Sequence, residues 1–354
     1  MKNKITTFLF VIYIFTFSIL GIILKDDIIS YTERRKLTTF PKFTFSNEYV
    51  SKLDKYTLDH FPLRNTFRSI KAVFNYNILN KLDNNQIYLK DDYIFKSNYP
   101  TNKESIKKFT NYIESIKSKL TEDNNVYLMI IPDKNYYLES NDFLHIDYDY
   151  IYNQINTLDI TNIDIRDIMT LNDYYQTDTH WRQENLDKVV KKMSEIIGFT
   201  YENIIYNKHI YNNFYGVYYG ESALKRKPEP LTYLTNDILE NAEVSYLENE
   251  SLNKIYNLEN LESTDSYEVY LDGASSFIEI TNKNSQTKKE LVIYRDSFAS
   301  SITPLLVNYY SKITLIDSRY IASNQYKDLI EFTNQDVLFM YSTLIVNNSS
   351  SLKK

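Results

Sequence analysis

The chain has 354 residues, of which 43% are hydrophobic and 24% charged, so it can bury a large core and wholesale disorder is excluded. A net charge of -6 without a basic stripe argues against nucleic acid as a partner. There is no cysteine, which excludes disulfides, thiol nucleophiles, thiolate metal sites and a lipid-modified N-terminal cysteine.

Lys2 and Lys4 precede an uncharged apolar run from Ile5 to Leu24. Such a run, about 20 residues long, can cross the ~30 Å hydrocarbon core as a helix. It ends in Gly21-Ile22-Ile23-Leu24-Lys25-Asp26-Asp27, with no small-residue cleavage site. Residues 1–25 are therefore predicted to be an uncleaved signal-anchor rather than a cleaved signal peptide. The leading lysines keep the N-terminus inside, so everything after residue 25 is expected outside the cytoplasm, attached to the cell membrane by this one span.

Residues 26–100 read as an irregular entry region packed on the main domain, with ordered turns at Phe40-Pro41 and Phe61-Pro62. Ile106, Phe109, Ile113, Ile116 and Leu120 predict an amphipathic helix over 103–120. Val126 to Ile131 is a buried strand stopped by Pro132. A helix over 147–158 and a short strand over 161–165 follow. Leu186, Val189, Val190, Met193 and Ile197 mark another helix. Residues 205–285 are less periodic and read as an insertion of short strands and loops. Leu291 to Tyr294 is again a buried strand, then come a helix over 299–310, a strand over 313–316 and a last strand over 337–341. Strands alternating with helices predict an α/β domain over 101–354, a mainly parallel sheet covered on both faces.

Two segments carry candidate chemistry. Arg295-Asp296-Ser297-Phe298 follows an apolar strand directly. In open α/β sheets, ligands bind beyond the carboxyl ends of the strands. Ser297 there could be a nucleophile, with helix-start amides stabilising an oxyanion; equally, Asp296 or Ser297 could simply cap the helix. Asp178-Thr179-His180-Trp181 is the second segment. In an extended backbone, Asp178 and His180 share one side. A histidine there could activate a serine while the carboxylate fixes its tautomer; equally, it could be a structural histidine beside the chain's one tryptophan. No second ligand pair at metal-binding spacing accompanies these residues, and there is no Walker loop or dinucleotide fingerprint. No metal and no cofactor is therefore expected.

The segment Asp173-Tyr174-Tyr175-Gln176-Thr177-Asp178-Thr179-His180-Trp181 resembles the signature of the bacterial DHHW family, itself similar to the SGNH-hydrolase-like proteins of alginate O-acetylation. Further matches follow in the expected order: Glu33-Arg34-Arg35-Lys36-Leu37, Asp59-His60-Phe61-Pro62-Leu63-Arg64, Ile131-Pro132-Asp133-Lys134, Tyr267 to Gly273, and Arg295-Asp296-Ser297-Phe298. The resemblance covers nearly everything after the anchor. It implies an SGNH-hydrolase-like, flavodoxin-like sheet in permuted order, with Asp-x-His before Ser. It assigns Ser297 as nucleophile, His180 as general base and Asp178 as its orienting carboxylate. The family's Gly-Gly-Asn is Asp272-Gly273-Ala274 here, which leaves the amides of Ser297 and Gly273 as candidates for the oxyanion hole. Trp181 and Arg295 are candidates for substrate contact. The activity so implied is O-acyl transfer, chiefly acetyl transfer, to a cell-envelope polysaccharide, with a membrane-bound O-acyltransferase as donor partner. A carbohydrate esterase with the same triad and a non-catalytic envelope-assembly protein are the alternatives.

Overall fold

The computed structural model describes residues 2–138 and 143–353. The chain divides into two compact units, residues 1–87 with 219–226 and residues 88–218 with 227–354.

The first unit begins with helix α1, Lys2–Ile23. Its stretch Lys4–Ile23 is long and apolar enough to cross a membrane. Residues 26–100 are not irregular throughout, as expected from the sequence: helices α2, Asn47–Asp59, and α3, Arg64–Val73, lie within them. Ser46 caps α2, its side chain accepting from the Tyr49 amide at 3.2 Å. Two of the sequence motifs meet in this unit. Arg35 donates to both oxygens of Asp59, at 3.1 and 2.5 Å, and Arg64 donates to both oxygens of Glu33, at 2.8 and 3.1 Å. These paired bonds match the planar fork of arginine to the planar carboxylate. The periodicity of neither motif announces this pairing, which is why the region looked irregular.

The second unit opens with strand β1, Tyr93–Lys96, and helix α4, Lys103–Lys117. Asn102 caps α4, and Ile106, Phe109, Ile113 and Ile116 form its buried face. Then come β2, Asn125–Ile131, α5, Tyr148–Ile155, β3, Thr161–Asn162, and α6, Asp187–Ile197. Gly198 ends α6 in a left-handed conformation, φ 87°, which glycine adopts without a Cβ clash. The less periodic stretch contains β4, Asn207–Phe214, β5, Glu229–Thr235, β6, Glu243–Tyr246, and β7, Phe277–Thr281. The chain closes with β8, Glu290–Arg295, α7, Ala299–Leu306, β9, Lys312–Ile316, and β10, Asp336–Ser342.

Seven strands form one sheet in the order β6-β7-β9-β8-β10-β2-β3. The five from β9 to β3 are parallel, and β7 and β6 extend that sheet antiparallel. All four predicted apolar runs lie in it, as the α/β reading requires. Alternate side chains of its central strands enter two separate cores. Met129, Ile131, Leu291 and Ile293 pack with α6 and α7 residues such as Met193 and Ile302. Leu128, Ile130, Val292 and Tyr294 pack with α4 and α5 residues such as Phe109 and Ile151. Burial on both faces explains the uninterrupted apolar strands. The β8 strand has β9 on one side and β10 on the other, so its carboxyl end opens in the middle of the sheet.

Candidate active site

Ser297 stands in the turn between β8 and α7, and the turn is tied down by its neighbour Asp296. One carboxylate oxygen of Asp296 accepts the Phe298 amide at 3.0 Å. The other accepts the Ser342 amide, at the end of β10, at 2.7 Å. Asp296 thus works on the backbone of the turn, and its side chain is engaged there.

The Asp178 segment is the tip of a narrow antiparallel loop. Tyr174 bridges to Trp181, and the Tyr175 amide donates to His180 O at 3.0 Å. The tip itself bends rather than running extended. The bend brings Asp178 Oδ1 onto both the His180 amide, 3.0 Å, and His180 Nδ1, 2.6 Å. An extended strand would have held the two side chains parallel and apart. On the far side of the ring, His180 Nε2 lies 2.8 Å from Ser297 Oγ. With Nδ1–H given to the carboxylate, Nε2 is left to accept the serine proton. Residues 117 positions apart in sequence are so joined in a Ser-His-Asp line.

The imidazole is held by its faces as well as its edges. Tyr267 stacks on it with centroids 3.8 Å apart and planes 7° apart, and Phe298 lies at 4.9 Å. The Tyr267 hydroxyl donates to Ser301 Oγ at 2.8 Å, and burial pushes its pKa well above the usual tyrosine range. It is therefore a neutral platform.

Asp178 is fully buried. Its second oxygen, Oδ2, accepts the Val217 amide at 2.8 Å. The two residues before it are gripped on both sides of their backbone. Glu229 accepts the Gln176 and Thr177 amides at 2.9 and 2.7 Å, and the Thr177 hydroxyl at 2.6 Å. Lys134 donates to the Tyr175 and Gln176 carbonyls, both at 3.1 Å. The Ile94 amide of β1 adds a bond to Gln176 O at 2.9 Å. Burial pushes the Lys134 ammonium down to about 7, against the nearby carboxylates of Asp178 and Glu229, which raise it. Glu229 is also paired with Arg182 at 2.6 Å. Gly216 passes so close that a Cβ there would sit 2.3 Å from Thr177 O and 2.4 Å from the Asp178 Cβ. Lys134 belongs to a motif quoted above, which gave it no role. Glu229 lies in the aperiodic stretch, where no local pattern marks it.

Three sequence assignments need correction. Trp181 and Arg295 are completely buried, so neither presents a surface to substrate. Trp181 Nε1 donates to Phe298 O at 3.0 Å and Ser301 Oγ at 2.9 Å, fastening the histidine segment to the serine turn. Arg295 donates to the Ser300 hydroxyl at 2.5 Å and to the carbonyls of Gly273, 3.2 Å, and Ser275, 2.9 Å. It braces the strand end from within. The Gly273 amide closes its own turn onto Tyr270 O at 3.3 Å. That turn has positive φ at Leu271, Asp272 and Gly273, and three asparagines, Asn249, Asn257 and Asn260, hold the Asp272 carboxylate. The Ser297 amide, by contrast, takes no hydrogen-bond partner among the described residues.

Among the described residues no group of three His, Asp or Glu side chains is placed to hold a metal ion. A cavity of 580 Å³ lies along His209, Tyr233 and residues 251–259, and none of Ser297, His180 and Asp178 lines it.

The mainly parallel α/β sheet, with the Ser297 turn at the end of its central strand, has the SGNH-hydrolase-like fold. Among solved structures, the chain is similar to a DHHW family protein from Eubacterium siraeum, with TM-score 0.63 and 18% identity over 77% of this chain and 98% of that one. It is likewise similar to PatB1 of Bacillus cereus, with TM-score 0.60 and 18% identity over 74% of this chain and 97% of that one. The same protein solved with a sulfonyl adduct gives TM-score 0.60 and 19% identity over 76% of this chain and 100% of that one. The fold is thus the one that the DHHW resemblance implies. No family model matches the sequence, and no curated protein does.

Proposed function

We propose that the protein is an extracytoplasmic, membrane-anchored O-acyltransferase, with acetyl as the acyl group and a cell-envelope polysaccharide as acceptor. The observation that carries this reading is the 2.8 Å approach of His180 Nε2 to Ser297 Oγ, with Asp178 at Nδ1. Ser297 Oγ attacks the carbonyl carbon of an acyl donor while His180 Nε2 takes its proton. Asp178 keeps the imidazole in the tautomer that can accept, then stabilises the imidazolium. The Ser297 amide faces the developing oxyanion. His180 returns the proton to the departing group, leaving acyl-Ser297. In the second half, His180 takes the proton of a sugar hydroxyl, whose oxygen attacks the acyl-serine ester. The serine oxygen leaves with the proton from His180. A membrane-bound O-acyltransferase is the donor partner that the DHHW resemblance suggests, and a tethered acceptor enzyme suits a donor presented at the membrane.

The test is mass spectrometry of the purified protein after incubation with an activated acetyl ester or a sulfonyl fluoride. Acylation of the peptide bearing Ser297, absent from Ser297→Ala and His180→Ala, is expected. Adding oligosaccharide should move the acetyl group to sugar faster than water removes it. Release of acetate only, whether or not sugar is present, would make the protein an esterase. No adduct at all would leave an assembly protein on the same fold.

A further inference from the structure

The first unit carries an exposed apolar stripe, which meets α1 at Phe67. Leu63, Phe67, Ile70, Phe74 and Ile78 recur at helical spacing along α3 and the wider turn Phe74–Ile78 that continues it. All five are exposed, from 38% at Phe67 to 64% at Ile78. The opposite face is fully used. Arg64 pairs with Glu33, Arg68 donates to Gly220 O at 3.0 Å, Ser69 donates to Ala223 O at 2.7 Å, and Ala72 and Asn75 are buried. The helix is therefore fixed by its polar side with its apolar side outward, the reverse of a surface helix on a water-soluble protein.

The contacts of α1 indicate what covers that side. Phe17 stacks on Phe61 with centroids 5.3 Å apart and planes 9° apart, and lies 5.7 Å from Phe67. A Cβ on Gly21 would lie 3.9 Å from Pro62 Cγ. Phe17 precedes the end of the apolar helix by six residues, which places it about 9 Å inside that end at ~1.5 Å per residue. Just beyond the helix, Asp26 accepts the Tyr56 hydroxyl at 2.8 Å and lies 3.4 Å from His60 Nδ1, a polar level suited to the membrane surface. The start of α3 is thus as deep as amphipathic helices sink into a bilayer face, roughly 5–10 Å.

We propose that α3 and its continuation are an interfacial membrane helix, lying in the outer leaflet with the Leu63-to-Ile78 stripe against lipid acyl chains. The proposal rests on the reading of Lys4–Ile23 as a membrane span. The first unit then has two attachments to the bilayer, one crossing and one flat, and is docked on the membrane rather than swinging from a tether.

The absence of native cysteine permits single-cysteine labelling of the full chain. The variants Phe10→Cys, Ile70→Cys, Phe74→Cys and Lys108→Cys are each given a nitroxide and reconstituted in phosphatidylglycerol–phosphatidylethanolamine vesicles. Expected is a several-fold preference for oxygen over a water-soluble nickel chelate as relaxant at positions 10, 70 and 74, and the reverse at 108. If position 10 is in lipid while 70 and 74 meet the nickel chelate as 108 does, the interfacial helix is wrong and the span stands. If position 10 also meets nickel, the span reading fails and the proposal falls with it. If 70 and 74 are shielded from both relaxants, a second copy or a partner protein covers the stripe, which overturns lipid as its occupant.

Discussion

Two aspartates, Asp178 and Asp296, lie beside the proposed base and nucleophile, and only their partners separate their work. Asp296 is occupied by the amides of Phe298 and Ser342, whereas Asp178 Oδ1 is on the imidazole. Asp178→Asn should keep the fold and lower the rate of Ser297 acylation by roughly 10⁴, because the amide favours the wrong imidazole tautomer; stopped-flow acylation with an activated ester measures it. Lys134 makes a separate, pH-dependent contribution. Its folded pKa is about 7, while the unfolded chain holds that proton up to the ordinary lysine value near ~10.4. Between these values the unfolded state binds more protons, so this group makes stability rise with pH, and the slope vanishes below about 7. Urea unfolding from pH 6 to 10 should show wild type gaining on Lys134→Met across that window. Equal slopes would show that the lysine is not buried as a strained cation.

At the scale of elements, the backbone leading into Asp178 is held from several sides. Glu229 takes the amides, Lys134 and Ile94 supply donors to the carbonyls, and Gly216 leaves no spare room. Gly216→Ala must push Thr177 and Asp178 aside. A displacement of about 1 Å at a catalytic group costs on the order of 10²-fold, so acylation should slow by that much, and the overlap with buried backbone should lower stability by about 1–3 kcal/mol in thermal unfolding. Glu229→Ala should act chiefly on stability. It strands Arg182 without its carboxylate, removes one of the carboxylates near Lys134, and should cost about 3–5 kcal/mol in denaturant titration. In the sheet, Ile293 is fully buried on β8, and Ile293→Ala should cost about 2–5 kcal/mol as a cavity between β8 and its helices.

For the whole molecule, the proposed location rests on the helix Lys4–Ile23, which is long and apolar enough to cross a membrane. In the proposed orientation, with Lys2 and Lys4 inside, both units would lie outside the cytoplasm. Protease added to intact, wall-stripped cells should digest the chain beyond residue 25, and complete protection would reverse the orientation and remove envelope polysaccharide as acceptor. The fold shared with the Eubacterium siraeum protein and PatB1 does not name that acceptor, because a fold supports many chemistries and the site decides among them.

What the sequence determined by itself was whatever a short window of residues encodes. The long apolar helix at the N-terminus, the helix at Ile106 to Ile116 and the strands at 126–131, 291–294, 313–316 and 337–341 were legible because apolar patterning is local. Their parallel order followed from alternation with helices. The candidate residues Ser297, His180 and Asp178 were legible as motifs, yet each had an equally good structural role in isolation. Only tertiary structure brought His180 Nε2 to Ser297 Oγ, since a separation of 117 positions carries no local record of a 2.8 Å contact. It alone also showed that Trp181 and Arg295 point into the core, that Gly273 spends its amide on its own turn, and that Glu229 and Lys134 clamp the Asp178 loop. Burial and hydrogen-bond partnership are properties of packed neighbours from distant parts of the chain, and those neighbours exist only once the sheet has closed around them.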